Sequence, residues 1–418
     1  MSDTYDYKTG EALQQPIPSG QLFAAALQLA AARGYSFAAW RLPAQQQPSL
    51  LIDLSGSAAK VHPSLEELPT GFLFAPYQAD LTALDAREKP GCLFLRADLL
   101  WEGQQGELRP AEGLPPQRRA QAESFLEELE QEEAPAASAY PLAPCRAGTT
   151  PKTQYIHLVE QSVAAIRRGD FQKNVCARTK EVALPAGFSL SSFFLHLSAA
   201  YPNAFVSLVA IPGVGTWIGA TPEILISVDR HQKFCTVALA GTQRRQAGMR
   251  PVDAVWRQKE IEEQAMVSRY IINCLKKVRI REFEEIGPRT IAAANLLHLR
   301  TDFTIDLKEV HYPNLPTVML ELLHPTSAVC GLPKEPAAAF LETHEQLDRS
   351  FFAGFLGPVH LQQETHLFVN LRCMQLLERT ALLYAGAGIT ADSDAEREWQ
   401  ETEHKCQTLL DVLYEASR

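Results

Sequence analysis

The sequence has no apolar run approaching the roughly 20 residues that a membrane-crossing helix needs. Its start, MSDTYDYKTGEALQQ, carries neither the basic stretch nor the apolar segment of an export signal. Both absences lead to the expectation of a cytoplasmic protein with no membrane partner. An excess of basic charge is missing too: 39 Lys and Arg stand against 49 Asp and Glu, a formal net charge of -10. A nucleic-acid binder needs a basic face to displace counterions from phosphate, so that class is disfavoured. A small anionic substrate is not, because a few Arg and Lys with a divalent cation reverse the potential inside one cleft. The basic run Lys276, Lys277, Arg279, Arg281 reads most simply as a solvated helix end. The 8 cysteines stand singly from Cys92 to Cys406 with no Cys-x-x-Cys pair. That spacing argues against a zinc site or a disulfide framework and fits reduced, buried thiols. No internal repeat is visible.

What is there suits a globular protein: 46% hydrophobic and 21% charged residues can bury a large core. The length of 418 residues leaves the number of domains open. Residues 1 to about 110 mix short strand-like runs such as LFLRADLLW with Gln- and Pro-rich loops and hold no chemical motif. An acidic helical stretch, ESFLEELEQEE, precedes the Pro/Ala-rich segment APAASAYPLAPCRAGTTP, which reads as a linker or surface crossing. From Thr153 the signals sharpen. Tyr155, Ile156, Val159, Val163 and Ile166 form one helical stripe, stopped by Gly169-Asp170. In FQKNVCARTKEVAL a strand puts Lys173, Val175 and Ala177 on one face and Asn174, Cys176 and Arg178 on the other. FVSLVAIPGVGTWIGATPEILISV and FCTVALAGT read as a continuing antiparallel meander. A long helix is expected from about Asp253 to Lys277, and a second from Ser393, with Glu396 completing a capping box. Many strands beside long helices indicate an α+β fold.

Four acids form two matched pairs. Glu260 and Glu263 lie three apart on a line continuing to Val267, Ile271 and Cys274, so both share the apolar stripe. Glu398 and Glu401 repeat the pattern, with Lys405, toward Leu409 and Val412. Buried carboxylates are costly without partners, and a hard cation held by oxygen ligands answers that cost. The plain alternative is a Glu401–Lys405 surface ion pair. Glu223, after Thr221-Pro222 and at the start of an apolar run, has a carboxyl that desolvation would keep protonated. Lys173, if inward, becomes a candidate neutral base; both residues also have a solvated reading. Arg372 in VNLRCMQLL suggests a buried carboxylate partner. Gly386 and Gly388 in AGAGI are candidates to offer backbone N–H groups to an anion. His324, before Pro325, is either a core histidine or a substrate contact.

These segments, in this order, resemble the chorismate-binding family, which includes anthranilate, aminodeoxychorismate, isochorismate and salicylate synthases. The resemblance spans roughly residues 153 to 413 and rests on FQKNVCAR, GATPE, ALAGT, KEIEEQAMV, LLHLRTDF, LLHPTSAVCGLP, DRSFFAGFLG, VNLRC, YAGAGI and EWQETEHK. Ten short motifs in colinear order are specific as a set, though each alone is weak. The resemblance implies one large domain of central antiparallel sheets with helices outside. Residues 1–150 would be the N-terminal part of the same fold and 151–418 the catalytic region. It implies Lys173 as the base that activates water and Glu223 as the general acid. Magnesium would be held by Glu263 and Glu401, with Glu260 and Glu398 on metal-bound waters. Arg372, Lys405 and the backbone at Gly386 would bind substrate carboxylates, with Gly241 and Thr242 of the ALAGT motif and His324 as further substrate contacts.

Lys173 chooses among subfamilies, since ammonia-adding members usually lack a lysine there and water-adding members keep it. The resemblance thus implies isochorismate formation from chorismate, with salicylate synthesis by further loss of pyruvate as the nearest rival. A non-catalytic chorismate-binding subunit is a rival of another class, against which the complete set of Lys173, Glu223 and four carboxylates counts. No amidotransferase subunit is expected, and the family suggests a monomer. Two departures stand out: Glu263-Gln264 replaces the common Glu-His, and His324-Pro325-Thr326-Ser327 the usual His-Pro-Thr-Pro. Neither removes a catalytic group.

Overall fold

A computed structural model describes residues 20–81, 91–101, 106–131, 140–142, 148–244, 249–293 and 296–415. Its helices, in chain order, are α1 (Gly20–Ala32), α2 (Pro116–Gln131), α3 (Lys152–Arg168), α4 (Leu190–Ala200), α5 (Gln258–Lys277), α6 (Leu315–Leu323), α7 (Lys334–His344) and α8 (Ala395–Glu415).

The strands form two antiparallel sheets. The ten-stranded sheet runs β15 (Gly331–Leu332), β8 (Lys173–Ala183), β19 (Thr380–Ile389), β18 (Cys373–Leu376), β10 (Gly215–Thr221), β9 (Phe205–Ile211), β1 (Ser36–Arg41), β2 (Ser49–Asp53), β6 (Leu99–Trp101), β7 (Leu108–Pro110). The nine-stranded sheet runs β13 (Glu284–Ala293), β14 (Leu296–Asp306), β12 (Lys233–Arg244), β11 (Ile224–Val228), β17 (Thr365–Val369), β16 (Phe355–Val359), β4 (Gly71–Ala75), β5 (Cys92–Arg96), β3 (Ala59–Val61). Strands from before Ala111 therefore lie in both sheets.

The pleat explains how the sheets are covered. In β1, Ala38 and Trp40 face the core between the sheets, while Phe37 and Ala39 face the core under α1, α2, α4 and α8. With both faces buried, the strand reads SFAAWR and shows no polar alternation. Between the sheets Phe205 stacks on Phe368 at 4.0 Å, and Trp217 on Tyr384 at 5.2 Å. Helices α5 and α6 extend this core through Val267, Ile271, Leu320 and Leu323. A third cluster joins α3 to β8, β19 and α7. The stripe read from the sequence buries Tyr155, Val159, Val163 and Ile166, and Gly169 ends α3 in the left-handed conformation at φ 87°.

Three local expectations need correction. The meander is not continuous: β9 and β10 lie in one sheet, β11 and β12 in the other, and the chain changes sheet at Pro222-Glu223. Helix α5 starts at Gln258, because Pro251–Asp253 forms a separate short 3-10 turn. The Ser393/Glu396 capping box does not form: the Asp394 carboxylate accepts the Arg397 N–H at 3.0 Å, while Glu396 pairs with Lys152 at 2.7 Å. Asp is as good a cap as Ser, and here it is the residue that immediately precedes the helix. Of the Pro/Ala-rich stretch, residues 134–139 and 143–147 lie outside the described residues. No helix among the described residues is long and apolar enough to cross a membrane.

Candidate active site

Two of the places where the chain changes sheet carry a charged side chain. Glu223 lies between β10 and β11, and Arg372 between β17 and β18. The crossings are tied together: the Val369 N–H donates to the Glu223 carbonyl at 2.9 Å and the Ala220 N–H to the Arg372 carbonyl at 3.0 Å. Arg372 is thus not inside a strand, as the apolar run suggested, but in a left-handed bend with φ 48°. Gly219 makes the approach possible, since a Cβ there would lie 2.8 Å from the Arg372 carbonyl.

The cleft beside these crossings encloses about 740 Å³, its opening to solvent included. It is lined by Glu223, Gly241, Thr242, Glu263, His298, Arg372, Gly386, Glu401 and Lys405, among apolar residues such as Val175, Val329, Phe352 and Tyr384. Burial pushes the Glu223 carboxyl up to about 7, against the opposing charges of Lys173, Lys405 and Arg372. Burial also pushes the Arg372 guanidinium down to about 10, with Glu401 and Glu223 acting in the other direction. Among the described residues no carboxylate pairs with Arg372 within 4 Å, so none of them supplies the buried partner expected from the sequence. A half-buried guanidinium facing a cleft without such a partner is suited to a carboxylate brought by a ligand.

Lys173 is buried at 1% exposure and is not itself among the cleft-lining residues; its Nζ donates to Glu263 Oε1 at 2.8 Å. Glu263 belongs to the cleft wall, so Lys173 stands one hydrogen bond behind it. Gly388 leaves room for this pair, as a Cβ there would lie 2.7 Å from Glu263 Oε1 and 3.1 Å from Lys173 Cε. Although burial alone would raise the Glu263 carboxyl, Lys173 and its hydrogen bond hold it below the ordinary value. On α8 the Glu401–Lys405 pair forms at 2.7 Å, but within the cleft wall, and Lys405 also donates to the Gly386 carbonyl at 2.8 Å. Ala385 to Gly388 continue the ladder of β19 on β8, so Gly386 lies in extended strand opposite Ala177, whose own N–H donates to Glu345. What Gly386 presents to Lys405 is its carbonyl.

The outer members of the acid pairs have other partners. Glu260 accepts the Arg257 N–H at 2.9 Å and so caps its own helix. Glu398, 2% exposed, accepts from Lys259 at 2.7 Å; burial and the neighbouring Glu401 charge raise its carboxyl above the ordinary value. Among the described residues no group of three or more His, Cys, Asp or Glu gathers as a metal cage. Glu263 and Glu401 at the cleft are nevertheless hard oxygen donors of the number magnesium usually takes from protein, the rest being water and substrate oxygens. The mutual charge of Glu398 and Glu401 is of the sign a cation relieves.

Gly241 sits in a β-bulge of β12 at φ 67°, where its carbonyl meets His298 Nδ1 at 2.9 Å. Thr242 Oγ1 is 3.4 Å from the same nitrogen. His298 was not singled out from the sequence, although the ionisable side chain inside the apolar run LLHL was the available signal. Burial and Arg372 push it down to about 3, and its buried Nε2 has no partner among the described residues. His324 instead takes the core alternative: it lies edge-on to Phe355 at 4.9 Å, is 5% exposed and is not among the cleft-lining residues. It ends α6, whose apolar face carries it into the packing between elements.

The cleft holds Arg372 with no acid paired to it among the described residues, a buried acid raised to about 7 and two lysine–carboxylate pairs, and a family comparison bears on what such a cleft belongs to. The sequence pattern of the chorismate binding enzymes matches residues 106–414. The chain belongs to the chorismate-binding enzymes. It is 28% identical over 270 residues to isochorismate synthase EntC of Escherichia coli K12, covering 63% of this chain and 67% of that protein. It is 27% identical over 266 residues to isochorismate synthase MenF of the same organism, covering 63% of this chain and 60% of that one. The salicylate biosynthesis isochorismate synthase of Pseudomonas aeruginosa is 30% identical over 273 residues, covering 63% and 55%. The solved structure of Escherichia coli MenF, the menaquinone-specific isochorismate synthase, matches with a TM-score of 0.72 at 22% identity over 95% of this chain and 92% of that chain. Anthranilate synthase component I from Streptococcus pneumoniae TIGR4 matches with 0.64 at 18% identity over 97% and 95%. The α+β fold of central antiparallel sheets with outer helices, expected from the sequence, is the fold this chorismate-binding enzyme has.

Proposed function

We propose that the chain is an isochorismate synthase, converting chorismate reversibly to isochorismate with magnesium as cofactor. The observation that carries this reading is a buried acid in the cleft, Glu223 with its carboxyl near 7, together with a buried lysine, Lys173, one hydrogen bond behind Glu263 of the cleft wall. A lysine and a carboxyl so placed can serve as base and acid. Relatives named as isochorismate synthases support the same activity.

In this mechanism Arg372 and Lys405 receive the carboxylates of chorismate, Arg372 because it has no acid of its own among the described residues. Lys173, which donates to Glu263, acts as the base for water. It takes one proton as the water oxygen bonds to C2. The ring double bonds shift, the C4–oxygen bond breaks, and Glu223 gives its proton to the departing hydroxyl, which leaves as water. His298, with Nε2 unpartnered among the described residues, is available to a substrate hydroxyl. Glu263 and Glu401 would hold magnesium, which supplies positive charge against the substrate carboxylate. The enzyme acts in the cytoplasm as a monomer and without an amidotransferase subunit.

Purified protein incubated with chorismate and magnesium, followed by NMR, tests the activity. The expected result is an equilibrium mixture of chorismate and isochorismate with no stoichiometric pyruvate, unchanged by ammonia or glutamine. Salicylate with matching pyruvate would replace this reading by salicylate synthase. Anthranilate or aminodeoxychorismate would overturn the role of Lys173.

A further inference from the structure

Helix α8 brings Glu401 and Lys405 to the cleft, and its two halves are held in different ways. From Cys406 to Leu413 it packs Cys406, Leu409, Leu410, Val412 and Leu413 into the core beneath the ten-stranded sheet. The N-terminal half, EREWQETEHK, has only Trp399 as a large apolar side chain. What secures that half to β8 is Arg178, 1% exposed. Its Nε donates to Thr402 Oγ1 at 2.6 Å, its NH2 donates to Glu403, and its guanidinium lies 3.8 Å from the centre of the Trp399 ring. Thr402 Oγ1 donates in turn to the Trp399 carbonyl at 2.6 Å, so the hydroxyl has one partner in each role. Lys180 reaches Glu403 at 2.6 Å from the same strand. Trp399, Thr402 and Glu403 are interleaved with Glu398, Glu401 and Lys405, so the contacts that fix the first set also fix the azimuth of the second.

We propose that Arg178 is a positioning residue for the chorismate cleft: it sets the rotation of the N-terminal half of α8 on β8, and thereby the reach of Lys405 and Glu401. This deepens the reading of the cleft as a chorismate site and rests on it. One strand thus serves both sides, with Lys173 toward the cleft and Arg178, of opposite parity, toward the helix. The role needs the planar guanidinium, because a lysine cannot stack on Trp399 and direct two N–H groups to Thr402 and Glu403 together.

The test measures chorismate affinity by calorimetry, kcat, KM and Tm for Arg178→Met, Arg178→Lys, Thr402→Val and Leu409→Ala. Leu409 belongs to the apolar half and serves as the control for general loosening. Arg178→Met should weaken chorismate binding about tenfold and lower kcat about tenfold or more, and Arg178→Lys should not rescue either. Thr402→Val, nearly isosteric, should give a smaller loss of the same kind. Leu409→Ala should lower Tm at least as much as Arg178→Met while keeping affinity and kcat within about twofold. Near-native affinity and kcat in folded Arg178→Met would overturn the proposal, as would an equal kinetic loss in Leu409→Ala. If Arg178→Met fails to fold, native affinity and kcat in Thr402→Val decide against it. Wild-type protein that binds chorismate without forming isochorismate sinks the activity alone, and the affinity arm still decides the role of Arg178.

Discussion

Helices α5 and α8 carry the same short pattern, two glutamates three residues apart on the inward face, and the fold uses the two copies differently. In α5 the first acid, Glu260, sits in the opening turn and is spent on capping, while the second, Glu263, meets Lys173. In α8 the first acid, Glu398, is buried against Lys259 and the second, Glu401, pairs with Lys405 of its own helix. The difference follows from where each pair falls relative to its helix start and to the sheet. Glu260 is the third residue of α5 and turns back to a free N–H, whereas Glu398 is the fourth of α8, whose start Asp394 already caps. Equal spacing therefore does not mean equal roles, and in both helices the second acid is the one that reaches the cleft.

The largest expected effect tests that conclusion. Glu263→Gln and Glu401→Gln should each lower turnover by about 10²–10³-fold, the range for loss of a charge aimed at the reacting centre. If Glu401→Gln keeps native activity, its pair with Lys405 is only a stabilising contact worth about 0.3–0.5 kcal/mol. A second measurement asks whether the helices share one cation. In titration calorimetry magnesium should tighten chorismate binding about 5–150-fold and chorismate should tighten magnesium binding by the same factor, because coupling is reciprocal. Glu401→Gln should reduce that factor toward one; an unchanged factor would separate Glu401 from the cation.

Glu223 sharpens the comparison from outside, as a cleft acid with no lysine bound to it. Its folded carboxyl lies near 7 against an ordinary 4.5, so the folded state holds the proton more tightly. The stability it contributes is complete below pH 4.5 and is lost as pH rises through 7. Glu223→Gln, which cannot ionise, should match wild type near pH 4.5 and exceed it at pH 8 by about 1–3 kcal/mol, read from thermal melts. A deficit of equal size at both values would contradict the raised carboxyl. The same variant should lower kcat by about two orders of magnitude.

The smallest effect concerns Glu260. As a capping residue, Glu260→Ala should cost about 0.5–1 kcal/mol and leave kcat within about threefold. A loss of kcat near that of Glu263→Gln would return Glu260 to the role on metal-bound water that the family resemblance implied.

Much of this was legible because it depends on spacing within one element. The stripe of α3, the alternation that buried Lys173, and the inward acids of α5 and α8 all follow from periods of 3.6 and 2. Contacts between distant elements were not legible. Glu263 was read as a metal ligand, but its partnership with Lys173 joins positions 90 residues apart in the chain. The sheet change at Pro222-Glu223 and the left-handed bend at Arg372 were hidden inside runs that looked like ordinary strands, because propensity does not report which sheet a strand joins. His298 lay inside a quoted motif and became visible as a site residue only when the bulge at Gly241 turned a carbonyl toward it.

By itself the sequence determined the fold class, the family and which residues carry ionisable groups on inward faces, since periodicity and ordered motifs are local properties that survive without coordinates. Tertiary structure alone decided which of those groups meet. It left Arg372 without an acid among the described residues, placed Lys173 behind Glu263, moved His324 into the core and locked α8 to β8 through Arg178. Partner choice for a buried charge depends on distance and desolvation in three dimensions, and neither quantity is written in the spacing of residues along the chain.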